Sequence, residues 1–257
     1  MNRRRFVIAT FGGVVGLSTA SRLVGQDKTI EPDLAALAEG KGLKALNRSV
    51  SSLTDGARRG VHLGEGLGEG AAYLPGIEFA NGTIELDVRG KDVQQQSFLG
   101  VAFHGVDGTT YDAIYFRPFN FKAEDPARRI RAVQYISHPT YTWQKLRAEQ
   151  PGKYEKAVNP VPDPNAWFHV RVVVASPKVS VFVGDAKEPS LVVDQLSDRR
   201  KGLVGPWVGN TSGGDFANLK LARGCAPRRP GRWFNVPPLR VCGEGDRGVR
   251  TNEGERG

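Results

Sequence analysis

The sequence predicts an all-β fold, a sandwich of two antiparallel sheets, from three observations. Short runs rich in Val, Ile, Tyr and Phe alternate with polar residues, and turn residues separate the runs. Thirty-two Gly and sixteen Pro among 257 residues indicate a chain with many turns. Little of the chain has helical spacing, so sheets packed on sheets are the expected way to bury the apolar faces.

Residues 1–25 are predicted to form an export signal. A basic start precedes an apolar segment from Phe6 to Leu17, which is too short to span a bilayer. Arg3 to Val7 (RRRFV) resembles the twin-arginine export motif, and small residues from Ser18 to Ala20 offer a cleavage site. We therefore expect a periplasmic or secreted protein with no stable membrane span after cleavage. The alternative is an uncleaved membrane anchor.

The charge distribution divides the chain into three parts. The formal net charge of +9 comprises +4 from residues 1–25, +2 from residues 26–224 and +3 from residues 225–257. A nucleic-acid-binding domain concentrates its charge on the fold, so no nucleic-acid partner is expected. Residues 26–224 are predicted to be the single folded domain. Residues 225–257, with Cys225 and Cys242, are predicted to be a disordered basic tail.

Two segments open the domain. The glycine-rich GEGLGEG at 64–70 has neither the Lys-Ser/Thr of a phosphate loop nor dinucleotide spacing, and we interpret it as a hairpin connection. Residues 76–90 are the clearest strand. Its apolar residues lie on one face, with Glu85 and Asp87 on the other, which predicts a sheet with one solvated side.

The segment from Ser97 to Trp143 is the platform of the fold. It contains three strand-like runs, at 97–105, 111–121 and 131–137, separated by Gly-rich or charged turns. A long insertion follows at 138–166, and its Trp143 is a candidate to cap a groove. Further strands are predicted at 168–175, 179–183, 190–193, 203–208 and 216–221, and Trp167 and Trp207 are expected in the core.

The region 40–222 resembles a known family. A strand from Phe79 to Val88 is followed in order by GVAFHG, YFRPFNF, AVQYISHPTYTW, WFHVRV and GDFANLKL. Together these are similar to exported bacterial proteins of the concanavalin A-like lectin/glucanase superfamily, akin to laminin-G-like domains and to the keto-disaccharide hydrolases. The resemblance implies a jelly-roll β-sandwich with a concave sheet. Its members bind sugars, hydrolyse glycans or do neither, so the fold leaves the activity open.

Catalysis has little support in the residues. Glycoside hydrolysis requires two carboxylates, and Glu85 and Asp87 share a strand face. This resembles part of a glucanase motif, but its second Glu is replaced by Arg89 or Gly90, so a polar outer face is the favoured interpretation. Asp112 and Glu78 are alternatives without a motif.

Metal binding has still less support. The four His are dispersed, which argues against zinc, although His104 and His138 are placed to meet across strands. Asn210 and Asp215 flank a Gly-containing segment, for which the two interpretations are a calcium site and a turn that binds no ion. No catalytic residue, metal or cofactor is assigned.

Sugar binding requires aromatic faces and planar polar groups. Tyr115 and Arg117 share a strand face opposite Ile114 and Phe116, which predicts that they point outward. The alternative is that Arg117 pairs with Asp112 or Asp87 to pin the sheet. The predicted carbohydrate-binding residues are His104, Tyr115, Arg117, Asn120, Gln134, Tyr135, His138 and Trp143.

Three functions are compatible with these sequence features. The first is a lectin-like domain that binds a glycan or oligosaccharide in the concave sheet. The second is a glycoside hydrolase or lyase that acts on a glycan or keto-sugar, so the question of an enzyme stays open. The third is a structural or protein-binding laminin-G-like module.

Overall fold

The structure, a computed structural model, describes residues 29–224. The predicted signal at 1–25 and the tail at 225–257 with its two cysteines lie outside the described residues. The strands are β1 (Thr29–Ile30), β2 (Lys44–Leu46), β3 (Val50–Asp55), β4 (Arg58–Leu63), β5 (Gly70–Tyr73), β6 (Glu78–Phe79), β7 (Gly82–Arg89), β8 (Leu99–Gly105), β9 (Tyr111–Phe116), β10 (Val133–His138), β11 (Glu155–Lys156), β12 (Phe168–Ala175), β13 (Lys178–Val183), β14 (Leu191–Asp194), β15 (Gly202–Val208) and β16 (Gly214–Arg223). The helices are α1 (Leu34–Glu39), α2 (Pro126–Arg129) and α3 (Trp143–Glu149), with a 3-10 helix at Pro118–Asn120.

The strands form two antiparallel sheets, which confirms the predicted β-sandwich. The first sheet has the order β14-β13-β12-β7-β16-β4-β3, with β1 beside β16. The second sheet has the order β11-β10-β9-β8-β15-β5-β2, with β6 beside β15. No helix among residues 29–224 is long and apolar enough to cross a membrane.

The core lies between the two sheets and follows from the alternation of the strands. In β7, Ile84, Leu86 and Val88 are fully buried, as the sequence predicts. From the second sheet, Phe116 meets Phe168 of the first sheet, with ring centroids 5.5 Å apart. Because successive side chains of a strand point to opposite faces, the neighbours of these residues lie on the outer faces of the sandwich.

Three sequence predictions about the elements differ from the structure. The predicted strand 76–90 is two strands, β6 in the second sheet and β7 in the first. The segment 64–70 is not a hairpin connection, because β4 belongs to the first sheet and β5 to the second. It therefore carries the chain from one layer to the other. The predicted strand 111–121 ends at Phe116, and a 3-10 helix begins at Pro118. Proline has no backbone N–H to continue a ladder and has a fixed φ suited to a first helical turn.

Candidate functional site

A cavity of about 690 Å³ lies on the outer face of the second sheet. Five aromatic rings line it: Phe98, Tyr115, Phe119, Trp143 and Trp207. The remaining lining is mostly planar and polar and includes residues of the segments 94–96 and 209–211. Four arginines in the lining form what we call the arginine end of the cavity: Arg117, Arg128, Arg131 and Arg147.

The floor of the cavity is a ring pair that spans three strands. Tyr115 on β9 and Trp207 on β15 both face Gly100 of β8, and their ring centroids are 5.0 Å apart. A Cβ at Gly100 would lie 2.0 Å from the carbonyl oxygen of Ile114, so only glycine fits this close approach. The missing side chain lets the two rings meet and form an apolar floor.

Arg117 lies beside this floor at the end of β9 and is only 5% exposed. Its Nη2 donates to the Tyr115 hydroxyl at 2.7 Å, and its Nη1 donates to the Arg131 carbonyl at 2.8 Å. The Tyr115 hydroxyl in turn donates to Gln134 Oε1 at 3.0 Å, an atom that Arg117 also contacts. The guanidinium also lies over the rings of Tyr115 and Phe98, at 4.8 and 5.7 Å from their centroids.

Burial changes the titration of this pair. Desolvation lowers the pKa of Arg117, and the neighbouring Tyr115 only partly offsets it. Burial raises the pKa of Tyr115 to about 12, against the opposing charge of Arg117. Tyr115 therefore keeps a neutral hydroxyl near neutral pH. Arg117 is a buried cation, because the guanidinium of arginine stays protonated in proteins.

Three arginines surround one carboxylate at this end of the cavity, and a fourth lies nearby. Glu155 on β11 is 4% exposed and accepts two hydrogen bonds from Arg147, at 3.0 and 2.7 Å. Glu155 also lies 3.7 Å from Arg117 and 3.8 Å from Arg131. The fourth, Arg128, donates to Asn120 Oδ1 and to the Phe119 carbonyl instead.

The lining also includes Glu69, which contacts the opposite end of β9. The Tyr111 hydroxyl donates to Glu69 Oε2, and His138 Nδ1 lies 3.4 Å from the same oxygen. Tyr111 and His138 stack with centroids 5.2 Å apart. Burial, followed by the Glu69 charge, raises the pKa of Tyr111, so its hydroxyl stays protonated and keeps donating to the carboxylate.

Arg48 fixes two loops that form walls of the cavity. It donates to the carbonyls of Gly66, Leu67 and Gly68, all within the connection from β4 to β5. It also donates to the carbonyls of Gly209 and Ser212, which follow β15. Arg48 is therefore a positioning residue that sequence reasoning missed, because all of these acceptors are backbone atoms far away in the sequence.

The structure brings six of the eight predicted site residues to this face. Tyr115, Arg117, Asn120 and Trp143 line the cavity. Gln134 lies beneath it in the Arg117 network, and His138 lies beside Glu69. The partners proposed for Arg117 in the alternative interpretation, Asp112 and Asp87, are not its partners.

His104 and Tyr135 lie instead between the sheets, which corrects the prediction that they line the groove. His104 Nε2 contacts the Ala80 carbonyl at 2.8 Å, and its Nδ1 lies 3.3 Å from Asp112. Its φ of 50° and the register shift in the facing strand β15 break the alternation that would place it outside. The Tyr135 hydroxyl accepts from the backbone N–H of Leu196, so Gln134 is the outward residue of that pair.

The carboxylates weighed for catalysis do not line this cavity. Glu85 and Asp87 are on the outer face of the first sheet, and Asp112 is buried between the layers beside Arg199 at 2.8 Å. Glu78 pairs with Lys201 at the surface. Among residues 29–224, no group of three or more His, Cys, Asp or Glu is placed to hold a metal ion.

Several lining residues were not predicted from the sequence. Trp207 is buried as expected, yet its ring forms the outer floor of the cavity and not part of the space between the sheets. The same prediction is wrong for Trp167, which is only partly buried and donates to Asp55. Glu65 and Glu69 come from the glycine-rich segment for which the sequence predicts a hairpin. The RRIR run at 128–131 is the one local signal of the arginine cluster.

No protein-family model and no curated protein sequence matches this chain. Among solved structures, the carbohydrate-binding module CBM66 from Bacillus subtilis is similar, with a TM-score of 0.51 at 14% identity, over 70% of this chain and 96% of the module. A protein of unknown function with a galectin-like fold, also from Bacillus subtilis, has a TM-score of 0.50 at 12% identity, over 76% of this chain and 94% of that one. Both structures are well below 25% identical to this chain, so the likenesses concern the fold alone: a β-sandwich of the kind found in that module and in the galectin-like protein.

Proposed function

We propose that this chain is an exported carbohydrate-binding domain that holds a glycan in the cavity on the outer face of the second sheet. The observation that carries the proposal is the combination of aromatic rings with planar polar side chains in one cavity. Sugar rings pack their C–H groups on aromatic faces, and arginine, asparagine and glutamine match their hydroxyls.

A second cavity among the described residues supports this choice by contrast. It measures about 570 Å³ on the outer face of the first sheet and has no Trp, Tyr or Phe among its lining residues. Such a lining offers a sugar hydrogen bonds but none of the large aromatic faces on which sugar rings pack. The similarity of the fold to a carbohydrate-binding module adds to the proposal without assigning a ligand.

A glycan array with the full chain tests the proposal. We expect binding that Trp143→Ala weakens and that Trp167→Ala leaves unchanged, because Trp143 lines the cavity while Trp167 lies on the other sheet, where it donates to Asp55. Equal weakening by both variants would contradict the assignment of the site. Absence of binding across the array would favour a structural or protein-binding role.

A second candidate is glycan cleavage, favoured by Glu65 and Glu69 in the lining of the same cavity. Hydrolysis needs an acid and a nucleophile or base across the scissile bond. The test is product analysis of every bound glycan, with Glu69→Gln as the variant. Products that disappear in Glu69→Gln would establish an enzyme, and bound glycans recovered intact would leave a binding domain.

Export rests on residues 1–25 alone. Replacing Arg3 and Arg4 by lysine preserves their charge and removes the twin-arginine pattern. We expect the variant to stay in the cytoplasm of a bacterial host, while the wild type reaches the periplasm or medium. Unchanged export would argue against the twin-arginine route.

A further inference from the structure

The arginine end of the cavity carries more positive charge than a neutral sugar requires. Arg117, Arg128, Arg131 and Arg147 all line it, and Glu155 is the one carboxylate within 4.0 Å of any of them among residues 29–224. At neutral pH this group has an excess of three positive charges. A buried or half-buried excess of this kind costs free energy unless an anion compensates for it.

Arg131 is the member of the cluster with unused donors. Its side chain donates no hydrogen bond to any residue of the described part, and its Nε is buried. The nearest carboxylate oxygen, on Glu155, is 3.8 Å away, beyond hydrogen-bond distance. The side chain is 38% exposed, so the guanidinium is open to a ligand entering the cavity.

The acidic residues of the lining contact other parts of the sheet. Glu69 contacts Tyr111 at the start of β9, whereas Arg117 follows the last residue of that strand. Arg117 is six positions after Tyr111, which corresponds to about 20 Å of extended chain. Glu65 pairs with Lys91. The positive charge at the arginine end is therefore not cancelled by the cavity's own carboxylates.

We propose that the arginine end of the cavity binds an anionic group, a carboxylate or a sulfate, carried on a sugar ring, so that the ligand is an acidic saccharide. This inference rests on the proposed function. Guanidinium groups offer paired donors that match the two oxygens of such an anion. Arg131 and the free side of Arg147 bind the anion, Arg117 adds its charge from below, and Tyr115, Trp207 and Trp143 contact the sugar rings.

The test is isothermal titration calorimetry of the full chain with matched saccharides. The carboxylate probes are tetrasaccharides of galacturonate, mannuronate, guluronate and hyaluronate, each beside its carboxyl-reduced, neutral form. A sulfated carrageenan tetrasaccharide distinguishes sulfate from carboxylate, and polyglutamate controls for a general attraction to polyanions. The variants are Arg131→Gln and, as the matched control on the first sheet, Arg171→Gln, whose guanidinium lies over Phe182.

We expect one acidic saccharide to bind at least about tenfold more tightly than its neutral form, and Arg131→Gln to remove about that factor. Arg171→Gln should leave the affinity unchanged. Arg131 makes no side-chain hydrogen bond in the described part, so Arg131→Gln is expected to fold, which its unfolding curve checks.

Equal affinity for acidic and neutral forms, or an affinity that Arg131→Gln leaves unchanged, would overturn this inference and leave the proposed glycan binding standing. Polyglutamate binding as tight as that of the saccharide would also overturn it. Failure of every saccharide, neutral and acidic, to bind would overturn the proposed function as well.

Discussion

The outer faces of both sheets have arginines and carboxylates, but the two faces differ in how these charges are paired. On the first sheet, Asp87 accepts hydrogen bonds from Arg58 at 3.2 Å and from Asn218 at 2.8 Å, and it lies 2.9 Å from His169 Nδ1. Arg89 bridges two carboxylates, Asp55 and Asp215, on the same face. On the second sheet, three arginines share the carboxylate of Glu155.

The difference separates a structural surface from a candidate binding surface. On the first face, Arg58 and Arg89 are paired with Asp55, Asp87 and Asp215, so a ligand that binds these groups would have to displace existing partners. The second face keeps a donor of Arg131 and the Nε2 of His138 buried without partners among the described residues. Buried polar atoms without partners are uncommon in native proteins, and a ligand is one physical explanation for them.

The largest expected effect is on stability and comes from Arg48, which supports the cavity face. Arg48→Ala removes six hydrogen bonds to backbone carbonyls and is expected to lower the free energy of unfolding by about 3 kcal/mol. Urea unfolding measures this loss. Hydrogen exchange should also show faster opening of the 64–69 and 209–212 loops than of β7 and β12. Uniform destabilisation without selective opening would contradict a role in holding the walls.

Arg117 should affect both stability and binding. Arg117→Gln removes the charge over Tyr115 and is expected to cost about 2 kcal/mol of stability and to abolish detectable glycan binding. Arg171→Gln, on the first sheet, is the matched control and should change stability by less than about 1 kcal/mol. Retained binding in Arg117→Gln would place the ligand elsewhere.

The Asp87–His169 pair on the first face predicts a pH dependence of stability. Burial opposes ionisation of Asp87, but hydrogen bonds from His169, Asn218 and Arg58 outweigh it and lower the Asp87 pKa. The hydrogen bond to Asp87 in turn raises the pKa of His169. The contribution of Asp87 to the stability of the fold is lost as pH falls through its lowered pKa. The contribution of His169 to the stability is lost as pH rises through its raised pKa.

The pair therefore stabilises the fold most between the unfolded pKa values of about 3.9 and about 6.5. Asp87→Asn should cost about 1 kcal/mol in that window, since solvent screens the half-exposed His169, and it should leave glycan binding unchanged. NMR titration of the His169 ring measures the pKa directly. A His169 pKa that stays raised in Asp87→Asn would refute the pairing.

The smallest expected stability effect is at Trp143, which is 39% exposed at the cavity. Trp143→Ala should cost less than about 0.5 kcal/mol yet weaken glycan binding about tenfold, because a stacking surface is lost. Trp167→Ala should lower stability and leave glycan binding unchanged, since Trp167 packs under Arg58 and Arg89 and donates to Asp55. Chemical unfolding and calorimetry on both variants separate the two roles, and a binding loss confined to Trp167→Ala would reverse the assignment of the faces.

Strand alternation predicted the layers and half of the site. The parity of Ile114 and Phe116 correctly placed Tyr115 and Arg117 on the outer face, because a regular strand repeats every two residues. The same rule failed at His104, where a left-handed backbone conformation at its own position and a register shift in β15 turn the side chain inward. Such a conformation is uncommon in a non-glycine residue, and its enrichment at histidine is too weak to predict it at one position.

The rest of the site depends on contacts between distant segments. Glu155 and Arg117 are far apart in the sequence and meet through the pairing of β11 with β10 and of β10 with β9. Arg48 finds its acceptors in two loops that only the complete fold brings together. No sequence pattern within one segment indicates these contacts between distant residues. Composition and periodicity therefore predicted the strands better than the functional groups that the strands position.

Hydrogen–deuterium exchange of the full chain, with and without the tightest-binding glycan from the array, tests the central claim most directly. If the glycan occupies the cavity on the second sheet, protection should increase at 64–70, 94–98, 117–131 and 207–211, segments that form or adjoin its lining. The first face should stay unchanged at 85–89, 167–171 and 215–220. Protection confined to those first-face segments would contradict the account, because it would place the ligand on the surface whose charges are already paired.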